Sequence, residues 1–226
     1  MLIWSSSYNG QIVCWDPETR EALHSFALKK VKTLSQIISV RETTLWCVTS
    51  DKILIVDIAS EDYTVLQKLF VYDQYEMPML IECALMVNAN DIWVGSKTKG
   101  RLTIWNTNTY TAEEINLDDD GVHICCMINM MGSVWIGNRD GKVFIMNPDT
   151  RKIERTLQAH TDLVKSMCVT REGHVVTGSS SKEGKVCVWN AMYDLDIIDG
   201  KRKKRLQGYE IVDKSSLPAP DEIHYK

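Results

Sequence analysis

One pattern recurs about every forty residues along the chain, and this period limits the possible folds more than any other feature. Each copy has a short apolar stretch, then a turn that usually contains glycine, then an alternating stretch ending in a large apolar residue and Asp or Asn. A single unit of this length cannot bury its own apolar faces, so neighbouring units must stack. The copies read IWSSSYNGQIVCWD, LWCVTSDKILIVD, IWVGSKTKGRLTIWN, VWIGNRDGKVFIMN and VVTGSSSKEGKVCVWN.

Each repeat carries three or four stretches of strand length. An apolar run precedes each of the last four copies, and a further run follows several of them. In the predicted strand that ends at Trp105, Leu102 and Ile104 share one face, while Thr103 and Trp105 take the other. Both faces are largely apolar, which is typical of sheets that are covered on two sides. The pattern therefore predicts an all-β propeller of about 4.5 to 5 four-stranded blades.

The repeats divide the chain into a large region and a short tail. Residues 1–198 are predicted to form a partial propeller, and residues 199–226 a basic loop with a flexible C-terminal tail. No apolar run precedes the first copy, so we expect the chain to open inside a blade and to form an incomplete ring. The alternative is a divergent ring that its own C-terminal segment closes. The predicted repeats are residues 1–28, 31–75, 79–118, 121–158 and 160–198.

The last copy has the most recognisable motif. It begins with AHTDLV at residues 159–164, continues through Gly178-Ser179 and ends in Val188-Trp189-Asn190. These residues resemble the WD40 repeat. In that family a histidine before the first strand, an aspartate in a turn and a terminal tryptophan form a hydrogen-bonded network. The residues to which this resemblance gives a structural role are Trp15, Trp105, Asp140, His160 and Trp189.

The family's polar pattern is incomplete in every copy. Only His160 matches the histidine, and only Asp140 matches the turn aspartate. Asn9, Lys99 and Glu183 stand at the turn position in other copies. We therefore expect that no single blade carries the whole network.

Residues that could support catalysis or bind metal are scattered along the chain. The histidines form no HExxH pair, and the serine runs at residues 5–7 and 179–181 lack a GxSxG or phosphate-loop pattern. The acidic stretch at residues 118–121 lacks the alternating ligand spacing of a calcium loop, which favours a solvated loop. We therefore expect no catalytic site, no cofactor, no metal and no small-molecule substrate.

Composition indicates the compartment. The seven cysteines, an odd number, include no CxxC pair and lie in apolar runs, so we expect buried thiols. The formal charge of −4 provides no basic field for nucleic acid. No apolar stretch approaches the roughly 20 residues that a membrane-spanning helix needs. Together these features predict a cytoplasmic location.

One cluster of positive charge lies near the C-terminal end of the sequence. Its candidate role is contact with an anionic partner, such as an acidic membrane surface, an acidic protein or the nuclear-import machinery. The alternative is a solvated loop with no binding role. The cluster reads KRKKR and consists of Lys201, Arg202, Lys203, Lys204 and Arg205.

The form of the repeat also bears on function. Its apolar-Trp-apolar-Gly element, followed by Gly-x-apolar-x-apolar, is similar to the C-terminal WD40 region of DENN-domain Rab exchange factors. This resemblance implies a non-catalytic protein–protein interaction scaffold, the regulatory part of a larger trafficking or signalling protein. Propellers of JNK-interacting scaffolds and of some Rho exchange factors have a similar form and are an alternative. Acidic-lipid or nucleic-acid binding through the basic run, and a propeller enzyme, are alternatives of other classes.

Overall fold

The chain is built from antiparallel β-sheets. A computed structural model describes residues 2–31, 33–60, 62–72, 78–97, 101–117, 123–190, 193–198, 201–206 and 209–212. Within these residues every regular element is a strand. The chain divides into two compact units, Met1–Ile124 and Cys125–Lys226. No helix in the described part of the chain is long and apolar enough to cross a membrane.

The first unit contains three sheets, in which consecutive strands pair in chain order. Sheet 1 consists of β1 (Ile3–Ser6), β2 (Gln11–Trp15) and β3 (Ala22–Ala27). Sheet 2 consists of β4 (Leu34–Val40), β5 (Thr44–Thr49), β6 (Ile53–Asp57) and β7 (Val65–Leu69). Sheet 3 consists of β8 (Ile81–Met86), β9 (Asp91–Ser96), β10 (Arg101–Asn106) and β11 (Ala112–Asn116).

The second unit contains two four-stranded sheets and a hairpin. Sheet 4 consists of β12 (Ile124–Met130), β13 (Ser133–Asn138), β14 (Lys142–Asn147) and β15 (Lys152–Gln158). Sheet 5 consists of β16 (Val164–Val169), β17 (His174–Ser179), β18 (Val186–Asn190) and β21 (Tyr209–Val212). The hairpin pairs β19 (Tyr193–Ile198) with β20 (Lys201–Leu206).

The outer strand of sheet 5 differs from the sequence interpretation. The strands of sheets 1 to 4 lie within the corresponding predicted repeats. In sheet 5, however, β18 pairs with β21, which begins at Tyr209 and lies beyond the predicted repeat end at residue 198. The intervening residues contain the β19–β20 hairpin, so the basic run that we expected in a loop lies on a strand.

The middle strands of sheets 3 and 4 are buried on both faces. All residues of β13 are buried, as are all residues of β10 except Asn106. Trp46, Trp93 and Trp135 are fully buried at equivalent places on β5, β9 and β13. This burial accounts for the apolar character of both strand faces, since neither face of these strands meets water.

The Asp-Gly turn of sheet 4 shows why glycine is needed there. Gly141 has a φ of +77°, and a Cβ atom at this position would lie 2.1 Å from the carbonyl oxygen of His160. Gly141 also accepts backbone hydrogen bonds from the N–H groups of Ala159 and His160. The absence of a side chain therefore lets the turn touch the segment that leads into sheet 5.

The side-chain amide of Gln36 joins sheets 2 and 3. It both donates to and accepts from the backbone of one residue, as a neighbouring strand would. Nε2 of Gln36 on β4 donates to the carbonyl oxygen of Ala84 on β8 at 2.7 Å. The N–H of Ala84 donates to Oε1 of Gln36 at 3.1 Å. The pair satisfies two backbone groups of β8 that would otherwise lie at an unpaired strand edge.

Candidate functional site

A buried polar network in sheet 5 joins four side chains. His160, which precedes β16, is 2% exposed, and its Nε2 lies 2.9 Å from Oγ1 of Thr177 on β17. The indole N–H of Trp189 on β18 donates to the same oxygen at 3.0 Å. On the other side of the imidazole ring, Nδ1 lies 3.2 Å from Oε2 of Glu183. The network therefore links the β17–β18 turn, both strands and the chain segment that enters the sheet.

The chemistry of these groups sets the order of donors and acceptors. An indole N–H can only donate, so Thr177 accepts from Trp189 and can give its own proton to Nε2 of His160. An ionised carboxylate can only accept, which places the single proton of the neutral imidazole on Nδ1, facing Glu183. Nδ1 and Oε2 of Glu183 lie 3.2 Å apart, without the alignment of a hydrogen bond. The arrangement thus assigns one tautomer to the buried histidine.

Glu183 is held ionised in a nearly closed environment. Its side chain is 5% exposed, and its Oε1 accepts a hydrogen bond from the backbone N–H of Thr161 at 3.1 Å. Burial by itself raises the pKa of Glu183, but hydrogen bonds from Ser179 and Thr161 and the nearby His160 outweigh it. The net result is a pKa below the ordinary value for glutamate. The carboxylate therefore keeps its charge at neutral pH.

Sheet 5 carries the network in an altered form. Glu183 takes the place of the turn aspartate and reaches His160 with its longer side chain. Thr177 was not identified by the sequence analysis. Its distance along the strand from the partner of Trp189 could have indicated it. Val175 is the strand partner of Trp189, and Thr177 stands two residues beyond it on β17. A hydroxyl at that place faces the indole.

Sheet 1 follows the same spacing. Trp15 pairs with Ile3, and its indole N–H donates to the hydroxyl of Ser5 at 2.8 Å. Ser5 stands two residues beyond Ile3, the place that Thr177 occupies in sheet 5. Trp15 is only half-buried, so this bond lies nearer to water than the one in sheet 5.

Sheet 3 has the tryptophan without the hydroxyl. Trp105 pairs with Ile92, and the residue two positions beyond is Val94. Trp105 is 7% exposed, and its indole nitrogen has no hydrogen-bond partner in the described part of the chain. The side chain packs in an apolar cluster that also contains Trp46 and Ile55. Its role is therefore packing alone.

Asp140 is placed in the turn between β13 and β14, where it is exposed. Its backbone N–H donates to Oδ1 of Asn138 at 2.9 Å, and its carbonyl oxygen accepts from Nε2 of Gln158 at 3.0 Å. The strand that follows ends in Met146 and Asn147, without a tryptophan. These hydrogen bonds connect Asp140 to its turn through the backbone.

The seven cysteines are free thiols. Cys14, Cys47 and Cys187 are buried, as we expected, but Cys168 is exposed, which the sequence interpretation did not anticipate. Burial raises the pKa of Cys47 to about 12, and it does the same for Cys126. These two thiols are therefore protonated and unreactive at neutral pH.

The basic run lies on β20. In the strand register Lys201 is the partner of Ile198 on β19, and Arg205 is the partner of Asp194. Lys203 is the partner of Asp196. The structure therefore places the run on a hairpin between β18 and β21 in the chain order.

The other residues considered for chemistry do not form a cluster in the described residues. The acidic stretch at residues 118–121 lies outside them. Among the residues that are described, no group of three or more His, Cys, Asp or Glu side chains is placed to hold a metal ion. The ring of His24 lies 6.2 Å from that of Tyr63, in a tilted aromatic contact.

Comparisons with known proteins give two partial relatives. No protein-family model matches the chain. The chain is similar to DENN domain-containing protein 3 of Mus musculus, with 26% identity over 199 residues, which cover 83% of this chain and 15% of that protein. It is also similar to the Retinoblastoma-binding protein 5 homolog of Drosophila melanogaster, with 32% identity over 78 residues, which cover 34% of this chain and 16% of that protein. The chain thus spans a small part of the length of the relatives it matches.

The fold itself is matched among solved structures. The β-propeller domain of Cps50 (Swd1) from Myceliophteria thermophila has a TM-score of 0.68, covering 93% of this chain and 69% of that chain at 12% identity. The repeated antiparallel sheets of three or four strands agree with that fold. The network of His160, Thr177, Trp189 and a turn carboxylate occurs at the repeat that most resembles the WD40 pattern. The chain therefore has the fold of a WD40-type β-propeller.

Proposed function

We propose that the chain is a non-catalytic protein–protein interaction scaffold. In this proposal it is the C-terminal regulatory propeller of a larger trafficking or signalling protein, such as a Rab guanine-nucleotide exchange factor. The similarity to DENN domain-containing protein 3 carries the proposal, because it extends over 83% of this chain but only 15% of that protein. A match of this kind is expected for a module within a larger protein, whose exchange activity would belong to another region.

The distribution of polar groups supports a scaffold role. The buried histidine of sheet 5 is engaged with Thr177 and Glu183, so it serves to hold strands and turn in place. The outer strands β7 and β15 are mostly exposed, and they carry apolar side chains such as Leu66 and Ile153. A rigid set of sheets with exposed outer strands and loops presents binding surfaces without moving.

The expected partners are other proteins in the cytoplasm. One relative is named for binding the retinoblastoma protein, which is consistent with a protein-binding use of the fold. The basic run on β20 is a candidate for a further contact with an anionic surface, either an acidic protein or an acidic membrane. This contact is secondary in the proposal, because it concerns one hairpin and not the repeated sheets.

Affinity capture with a matched unfolded control tests the proposal. The tagged chain and its Trp135→Asp variant, which places a charge in the core of sheet 4, are used as baits in a cytosolic extract. A protein retained by the folded chain alone is then purified and must bind the chain directly. The same chain, added to Rab GTPases, should leave their nucleotide release unchanged. Failure of the folded chain to retain any such protein, or faster nucleotide release, overturns the proposal.

A further inference from the structure

We propose that a groove between sheets 1 and 2 binds an acidic peptide segment of a partner protein. The inference rests on the proposed interaction function and assigns a site and a partner chemistry to it. The groove has a volume of about 710 Å³ and lies between the end of β3 and the outer strand β7, and Leu54 of β6 also lines it. This volume is in the range of ligand-binding clefts.

The floor of the groove is aromatic. The rings of Phe26 and Tyr63 stack in parallel, with centroids 4.5 Å apart and an angle of 6° between their planes. Both rings are only half-buried, as is Phe70 at the other end of the groove, and Val65 is 41% exposed. The groove therefore leaves apolar surface in water, and covering this surface would favour binding.

The rim of the groove is positively charged. Among the described residues that line the groove, one carboxylate, that of Asp62, stands beside several lysines. One of these lysines is engaged nearby, since Nζ of Lys52 lies 2.7 Å from Oδ2 of Asp51. The whole chain has a formal charge of −4, so this excess of positive charge is a local feature. The lysines are Lys29, Lys30, Lys52 and Lys68.

These features together favour an extended acidic peptide with an apolar side chain. Carboxylates of such a segment can reach the lysine rim while its apolar side chain covers the aromatic floor. A phosphate ion would leave the floor uncovered, and a membrane surface cannot enter a groove between two strands. Both β3 and β7 are the last strands of their sheets, so an extended segment can also pair with a free strand edge.

Fluorescence anisotropy with a defined probe tests this inference. The probe is a fluorescein-labelled glutamate-rich peptide with a central phenylalanine, and its control has glutamine at each glutamate. A groove variant combines Lys29→Glu, Lys30→Glu and Lys68→Glu. A matched variant makes the same charge change on exposed lysines of the second unit, and consists of Lys152→Glu, Lys165→Glu and Lys182→Glu.

We expect the unmodified chain to bind the acidic peptide more tightly than the glutamine peptide, and to do so less well as salt is raised. The groove variant should weaken binding by about tenfold or more, whereas the matched variant should bind almost as the unmodified chain does. Thermal melts confirm that both variants are folded. Glutamine in place of the same three groove lysines gives a milder variant, for which we expect an intermediate affinity.

In the assays with the defined probes, three outcomes overturn the groove assignment. These are equal affinity of the groove variant and the unmodified chain, equal binding of the glutamine peptide, and lysine-dependent binding of phosphatidylserine vesicles or inorganic phosphate in place of the peptide. Binding of the partner identified by affinity capture distinguishes failure of the groove assignment from failure of the proposed function. If the folded groove variant still binds the identified partner as the unmodified chain does, the scaffold role stands and the groove assignment falls.

Discussion

The hydroxyl oxygen of Thr177 accepts the indole proton of Trp189 at 3.0 Å, which connects the two central strands of sheet 5 through their side chains. The same hydroxyl lies 2.9 Å from Nε2 of His160, so a single oxygen serves two buried groups. Its position on β17 therefore controls whether both groups are satisfied.

Removing this hydroxyl should destabilise the chain. We expect Thr177→Val to lower the free energy of unfolding by about 1–3 kcal/mol, because it leaves a buried indole N–H and an imidazole nitrogen unpaired. Urea denaturation measures the change. Thr177→Ser keeps the hydroxyl and should retain most of the stability, so a valine variant as stable as the serine variant would contradict the role of the network.

The charge of Glu183 should make part of the stability depend on pH. Its pKa in the folded chain is below the ordinary value of 4.5, so the ionised form favours folding. This contribution is complete above pH 4.5 and is lost as the pH falls through the lowered pKa. The difference in unfolding free energy between the unmodified chain and Glu183→Gln should therefore be largest near neutral pH. Urea titrations at several pH values test this, and a difference independent of pH would refute it.

Sheet 3 offers the reverse experiment. Val94 stands where sheet 5 has Thr177, and the indole nitrogen of Trp105 next to it is buried without a partner in the described residues. Val94→Thr supplies an acceptor for that indole, whereas Val48→Thr places a hydroxyl in an equally buried site of sheet 2. We expect Val94→Thr to be less destabilising than Val48→Thr by about 1 kcal/mol in urea denaturation. Equal destabilisation would show that the spacing does not govern the indole contact.

The tryptophans should differ in their contribution to packing. Trp105→Ala is expected to cost about 3–5 kcal/mol of unfolding free energy, because it opens a cavity in the cluster that contains Trp46. Trp15→Ala should cost less, since Trp15 is half-buried and its surroundings are open to water. Thermal and urea denaturation of the two variants give the comparison. An unmoved transition for Trp105→Ala would place this residue outside the core.

The basic run can be tested by removing its charge. Alanine at all five positions from Lys201 to Arg205 should weaken binding to anionic liposomes or to an acidic partner, because surface attraction depends on the number of positive charges. Vesicle sedimentation at low and moderate salt measures the effect, with neutral vesicles as the control. Unchanged sedimentation would leave the run without a role in anionic binding.

The repeated strands were predictable because their signal is local. Alternating apolar residues and Asn-Gly or Asp-Gly turns lie within a few positions of each other, so β2 and β14 could be predicted from the sequence. The pairing of Cys187 with Ile211 was not predictable, because a hairpin separates β18 from β21. No local pattern states which distant segment completes a sheet.

The polar network of sheet 5 shows a second limit. The family pattern has an aspartate in the turn, whereas sheet 5 has the longer Glu183 there. Thr177 became significant only when the strand register placed it two residues beyond Val175, the partner of Trp189, within reach of the indole N–H. The exposure of Cys168 was missed for a similar reason, since an apolar neighbourhood in the sequence does not fix how deeply a strand is covered.

The bond between Gln36 and Ala84 has a consequence for how the first unit opens. The amide hydrogen of Ala84 is held by a side chain from sheet 2, and not by a strand of its own sheet. In deuterium oxide this hydrogen is protected for as long as the two sheets stay together, even while each remains intact by itself. The exchange rate of the Ala84 amide therefore reports on the separation of sheet 2 from sheet 3. Exchange of the amides that pair β8 with β9 does not detect this separation.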